Sequence, residues 1–251
     1  MFVDNPMTQL IAYNHTDNLF SKRDEHSNRS LTIYKVLTVA SWLLVMITNI
    51  HFAWNAPDGT QGRSIWGQNK AHKTPFSLNP AIVDVYWTVL LVGQIAYVFH
   101  LFTGPHITAA ANVGSHFIVN NVLMFGFIMC WVYGFTGHFW VAELFLLVNF
   151  FNLSSLYFRH STTPLSIHIP IVSGPLAWNY VALFWCGAAM FGAKHLASRI
   201  IANIALLGWL GYGLFFLAAF KDYTMGFNLS ILAAGRFNLL SNLRYRWISC
   251  F

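Results

Sequence analysis

The chain has 251 residues and a formal net charge of +6, with 9% charged against 56% hydrophobic residues and a mean hydropathy of +0.51. A soluble domain carries about 25% charged residues, so this composition excludes an ordinary water-soluble fold and predicts helices that span a bilayer. The basic residues are scattered over termini and loops without a stripe or aromatic-interleaved patch, which argues against nucleic acid as a partner and suits lipid headgroups at span ends.

Residues 1–30 read as a polar arm without the apolar core of a signal peptide, so the first span is expected to serve as the targeting signal. Span one covers 31–54. Residues 55–80 form one long loop rich in Gly, Pro and Asn, in which Ile65 and Trp66 are expected to dip into the interface. Span two covers 81–102, started by Asn79-Pro80 and ended by Gly104-Pro105. Span three covers 107–133, span four 138–158 after a tight turn, and span five 167–191. Pro170 and Pro175 each remove a backbone donor, so the first half of span five should bend or break. The freed carbonyls then need partners from neighbouring helices or water. Span six covers 200–220, and Lys221-Asp222 interrupts.

The last apolar run, 225–234, is shorter than the roughly 20 residues a span requires. A basic tail, 235–251, follows with Arg236, Arg244 and Arg246; it suits an interfacial amphipathic helix or the second half of a seventh helix from 225 to about 248. The expected fold is thus all-α: a polytopic transmembrane helix bundle of six spans with a seventh candidate, divided into an arm (1–30), a helical domain (31–234) and a tail (235–251). Lys22, Arg23, Arg29, Lys35, Arg159 and Lys221 fall on one side of the bilayer, and Arg63, Lys70, Lys73, Lys194 and Arg199 on the other. That balance barely specifies orientation; the reading leans to an inside N-terminus.

Span three carries the most informative pattern. Thr108, Asn112, His116 and Asn120 recur every fourth residue, which places four polar groups on one helical face. Asn112 to Asn120 covers about 12 Å at 1.5 Å per residue. Groups like these cannot face hydrocarbon, so the stripe is expected to point into the bundle. Its leading partners are Asn149 and Asn152 of span four and Asn179 of span five. One reading makes the stripe a solute or proton path with His116 as its titrating member. The other makes it hydrogen-bonded packing between helices. Glu143, early in span four, joins the candidate polar site because a carboxylate in lipid is expensive and often functional. Asp84, in the first turn of span two, reads as a helix-start and interface residue.

No catalytic residue, metal site or cofactor is predicted. The 11 histidines include no pair three to five residues apart, which argues against the H-x-x-x-H-like chelation of membrane desaturases, hydroxylases and ceramidase-like hydrolases. His51, His100, His106, His138, His160 and His195 read as interfacial anchors near span ends. Three cysteines without a C-x-x-C give no disulfide framework.

Several segments taken together carry a resemblance: L-T-I-Y-K-V-L-T-V-A-S-W-L-L, S-I-W-G-Q-N-K-A-H-K-T-P-F-S-L-N, V-G-S-H-F-I-V-N-N, H-I-P-I-V-S-G-P-L-A-W and F-K-D-Y-T-M-G-F. They resemble a fungal family of multipass membrane proteins of unknown function, over about residues 20–234, with a departure after Ala234. The resemblance implies an integral membrane protein of six or seven helices and supplies no catalytic residues. Three functional expectations follow. They are a small-solute or proton-coupled carrier using the span-three stripe, a non-catalytic scaffold or partner-binding subunit, and, third, an intramembrane enzyme. The expected partners are the lipid bilayer and another membrane protein or a second copy of the chain. The cargo and the membrane are not legible.

Overall fold

The computed structural model describes residues 28–58, 62–103, 107–134, 139–160, 164–192 and 196–248; within these, the side chains of 28–30, 108–109, 196–203, 206 and 236–248 lie outside the described set. Every described element is helical: α1 (Asn28–Trp54), α2 (Ile65–Ala71), α3 (Pro80–Thr103), α4 (Ile107–Tyr133), α5 (Phe139–Arg159), α6 (Leu165–Phe191), α7 (Leu196–Phe220) and α8 (Tyr223–Ile248). Five of these, α1, α3, α4, α5 and α6, are long and apolar enough to cross a bilayer. α7 and α8 have 25 and 26 residues, about 38 Å each at the helical rise.

The helices are apolar on two faces, and the two faces do different things. On α3, Val83, Tyr86, Leu90, Gln94, Tyr97 and Leu101 follow a three-and-four spacing and are buried. Val85, Val89 and Phe99 on the opposite face are each 64% exposed. A protein dissolved in water does not present contiguous valine and phenylalanine along a whole helix. α4 lies at the centre, packed against α1, α3 and α5, and α6 packs against α5, α3 and α8.

The prolines of α6 are absorbed without breaking the helix. The backbone widens to a π-helical stretch from His168 to Ser173, then returns to α-helix from Gly174 to Phe191. Gly174 N donates to Ile169 O, five residues back. The next bond in that register would run from the nitrogen of residue 175 to Pro170 O, and Pro175 has no N–H to give. Gln94 supplies the missing donor: its Nε2 donates to Pro170 O at 3.3 Å. Gln94 Oε1 in turn accepts from Trp42 Nε1 at 3.0 Å, so one side chain ties α1, α3 and α6 together. The expected break is therefore a widened turn, repaired by a neighbouring helix.

The long loop also differs from its expectation. Residues 65–71 form α2, whose N-cap Ser64 accepts from Gly67 N at 3.1 Å. Ile65 and Trp66 are 8% and 5% exposed and pack into the bundle. The reason is polar as well as apolar. Asn69 Nδ2 donates to Leu78 O, and Asn69 Oδ1 accepts from Leu78 N and from Trp185 Nε1 of α6. Arg63 N donates to Val132 O and Trp131 Nε1 to Ile65 O, which fastens the segment to α4.

α8 continues from the short apolar run into the basic tail, as one of the two alternatives for this stretch has it. Its backbone is helical from Tyr223 through Ile248. Its first half lies along α6 and α3, with Thr224 and Asn228 at Ser173 and with Asn79 N donating to Gly235 O at 3.1 Å. A Cβ on Gly235 would meet Ile82 at 3.2 Å, so the approach of α8 to the start of α3 is close.

Candidate functional site

Three helices bring the polar stripe together. α4 and α5 run antiparallel, so positions that ascend on one descend on the other. His116 meets Asn152 and Asn120 meets Asn149. α6 runs antiparallel to α5 and delivers Asn179 to Asn149. The resulting chain of hydrogen bonds begins at His116, whose Nδ1 donates to Asn152 Oδ1 at 2.9 Å. Asn152 Nδ2 donates back to His116 O at 3.0 Å and to Asn149 Oδ1 at 3.4 Å. Asn149 Nδ2 donates to Asn120 Oδ1 and to Asn179 Oδ1, both at 3.0 Å. Asn179 Nδ2 ends this branch on Leu146 O at 2.9 Å. The other branch runs from Asn120 Nδ2 to Asn121 Oδ1, from Asn121 Nδ2 to Ser41 Oγ, and from Ser41 Oγ to Thr38 O of α1.

The network is buried at its centre. Asn149 is 1% and Asn179 0% exposed, and His116 is 3% exposed. Asn112 is buried on the same face, and the side chain of Thr108 lies outside the described residues. Glu143 does not join the chain. It faces α6, with Oε1 3.4 Å from where a Cβ on Gly187 would stand. Its Oε2 is buried without a hydrogen-bond partner among the described residues.

His160, expected as an interfacial anchor, is buried beside the network. It is 3% exposed, and its ring lies 6.1 Å from that of His116. His106, His138 and His195 lie outside the described residues. Among the described residues, no three of His, Cys, Asp and Glu converge as metal ligands.

A second polar cluster escaped the sequence reading. Asp222, in the connection between α7 and α8, accepts from Tyr157 OH at 2.8 Å and from His168 Nε2 at 3.0 Å through Oδ2. Its Oδ1 accepts from Thr224 Oγ1 at 2.6 Å and from the backbone N of Thr224 and Met225, which caps α8. Ser173 Oγ, on the π-helical stretch, is hydrogen-bonded to Thr224 Oγ1 at 3.0 Å. Burial alone would raise the Asp222 pKa, but hydrogen bonds from Thr224, His168 and Tyr157 win and hold it at about 2. The cluster joins two of the segments that carry the resemblance, H-I-P-I-V-S-G-P and F-K-D-Y-T-M-G-F. A signal existed in Asp222-Tyr-Thr-Met, an acidic residue placed to cap the helix that follows.

Against this geometry, the family described as "Fungal protein of unknown function (DUF1774)" has a model that matches residues 199–249. The matched interval covers nearly all of α7, Asp222 and the whole of α8. It overlaps the resemblance over 199–234 and continues through 235–249, the stretch that the sequence reading set apart as a departure. Comparison with curated proteins and comparison with solved structures each gave no match.

Proposed function

We propose that the chain is a multipass membrane protein of seven spans and that it serves as a non-catalytic scaffold or partner-binding subunit, with the span-three stripe as its internal lock. The observation that supports the lock is the branched chain of amides that links α4, α5 and α6. Each of Asn120, Asn149, Asn152 and Asn179 makes at least one hydrogen bond to another helix, which leaves little room for a cargo. The lengths of α7 and α8, and the outward valines and phenylalanines, support the span count. Stability and flux in the full chain test this reading. His116→Leu should lower the thermal midpoint in detergent, while His116→Gln should fold almost normally and leave proton and solute flux in liposomes unchanged. A pH-dependent flux that His116→Gln abolishes would overturn it.

Glu143 favours a second reading, proton-coupled carriage. A carboxylate with a buried, unpartnered oxygen between two helices is the kind of group that intramembrane proton relays use. Glu143→Gln should then abolish flux driven by a pH gradient without loss of fold; unchanged flux removes this reading.

A further inference from the structure

Near the end of the bundle that carries α2, a cavity of about 240 Å³ opens between α1, α3 and α6. It lies apart from the stripe and was not foreseen from the sequence. Its wall is a run of indoles in contact: Trp66 and Trp185 have ring centroids 6.2 Å apart, Trp185 and Trp178 6.1 Å, and Trp178 and Trp87 5.6 Å. Trp54, at the end of α1, is 72% exposed and stands at the rim. Among the described residues, one charged side chain lines the cavity, Asp84, and it is acidic. Trp66 Nε1 donates to Asp84 Oδ1 at 3.1 Å, which fixes the carboxylate beside the rings.

We infer that this cavity binds a quaternary ammonium group, the trimethylammonium head of a lipid or of a soluble amine. Tryptophan faces attract cations more strongly than other rings, and a carboxylate among them adds the matching charge. A methylated ammonium suits such a wall better than a primary one, because it is weakly hydrated and asks for no hydrogen bonds in return. An anion is opposed by Asp84, and no basic side chain among the described residues lines the cavity to receive one. The volume falls below the roughly 300–1,000 Å³ typical of drug-sized ligands, which fits a headgroup-sized cation. Depth agrees as well. Asp84 lies four residues into α3, about 6 Å from its start at the helical rise. That is the level at which headgroups meet a span, and where Trp is at home.

The test uses the full chain in a neutral detergent, titrated at constant ionic strength with tetramethylammonium chloride, ammonium chloride and sodium chloride, with calorimetry and indole fluorescence as readouts. Saturable binding of tetramethylammonium alone is expected. Asp84→Asn keeps an oxygen for Trp66 and should weaken affinity roughly tenfold or more, as should Trp87→Leu. Trp87→Phe, which retains a ring, should lose less than Trp87→Leu. The source of the cation is read in nanodiscs. Tetramethylammonium binding that survives in phosphatidylethanolamine but is blocked in phosphatidylcholine assigns the site to a choline headgroup. Binding that survives in both assigns it to a soluble cation. Equal responses to the three salts, or binding undiminished in both Asp84→Asn and Trp87→Leu, would overturn the inference.

Discussion

Asn149 is the junction of the polar network, since it donates to two helices and accepts from its own. Asn149→Leu strands acceptors on Asn120 and Asn179 together with a donor on Asn152. Interhelical hydrogen bonds in membranes contribute about 0.6 kcal/mol on average, but an orphaned buried polar group costs about 1–3 kcal/mol. The stranded groups decide the sign and size: a loss of about 2–4 kcal/mol is expected, measured by unfolding in detergent. A loss within error of an exposed-site control such as Leu147→Ala would show that the network is not a lock. Asp222 gives a prediction with a pH axis. Its folded pKa, about 2, lies below the ordinary value of 3.8. A depressed carboxylate contributes stability that is present above the ordinary value and is lost as pH falls through the folded one. The thermal midpoint should therefore drop between about pH 4 and pH 2, and Asp222→Asn should flatten that drop. The sequence exposes part of this scale. The i, i+4 stripe and its partners Asn149, Asn152 and Asn179 are legible because polar residues in apolar runs must find one another. Asn121 is not, because it sits one step round the helix from the stripe. Gln94 is equally hidden: its role depends on a carbonyl 76 residues away that becomes needy only once Pro175 is seen in register.

At the scale of the element, α6 shows how two prolines and two glycines cooperate. A Cβ on Gly93 would come 2.9 Å from Pro170 Cβ, and one on Gly174 would come 2.5 Å from Leu90 Cδ2 and 2.7 Å from Ile169 O. A side-chain methyl can yield; a backbone carbonyl inside a helix cannot. Gly174→Ala should thus destabilise more than Gly93→Ala, with both in the range of about 1–3 kcal/mol for overpacked sites. Equal midpoints for the two variants and the parent chain would mean that α3 and α6 are not in this contact. Helix positions were readable from apolar runs and breakers, and α4 matches its expected range of 107–133. α2 was not readable, since its seven residues IWGQNKA carry no period long enough to register. The three arginines of α8 left its sequence open to two readings, and the helix runs through them: charge disfavours a span but does not end a helix.

For the whole molecule, α1 separates the arm from the segment that contains α2. A cysteine within residues 1–30 and one at position 58 should label from opposite sides of the membrane, and one appended after residue 251 should label with position 58. Labelling of the last with the arm would remove α8 as a span and return six crossings. Composition carries this scale of the fold almost alone, because a chain with so little charge has no other way to cover itself. The number of crossings is harder to read, since the seventh depends on how a basic helix meets headgroups rather than on an apolar run.

The amide network has a consequence for how the protein comes into being. α4 leaves the ribosome with His116 and Asn120 before their partners on α5 have been made. The answer to His116 comes 36 residues later, and Asn179 follows after a further 30 beyond Asn149. During that interval the nascent helix cannot settle in lipid on its own terms, so it has to wait beside the insertion machinery or a chaperone until α6 arrives. A chain stopped after α5 should therefore remain bound to that machinery and be degraded, whereas one stopped after α6 should be released into the bilayer.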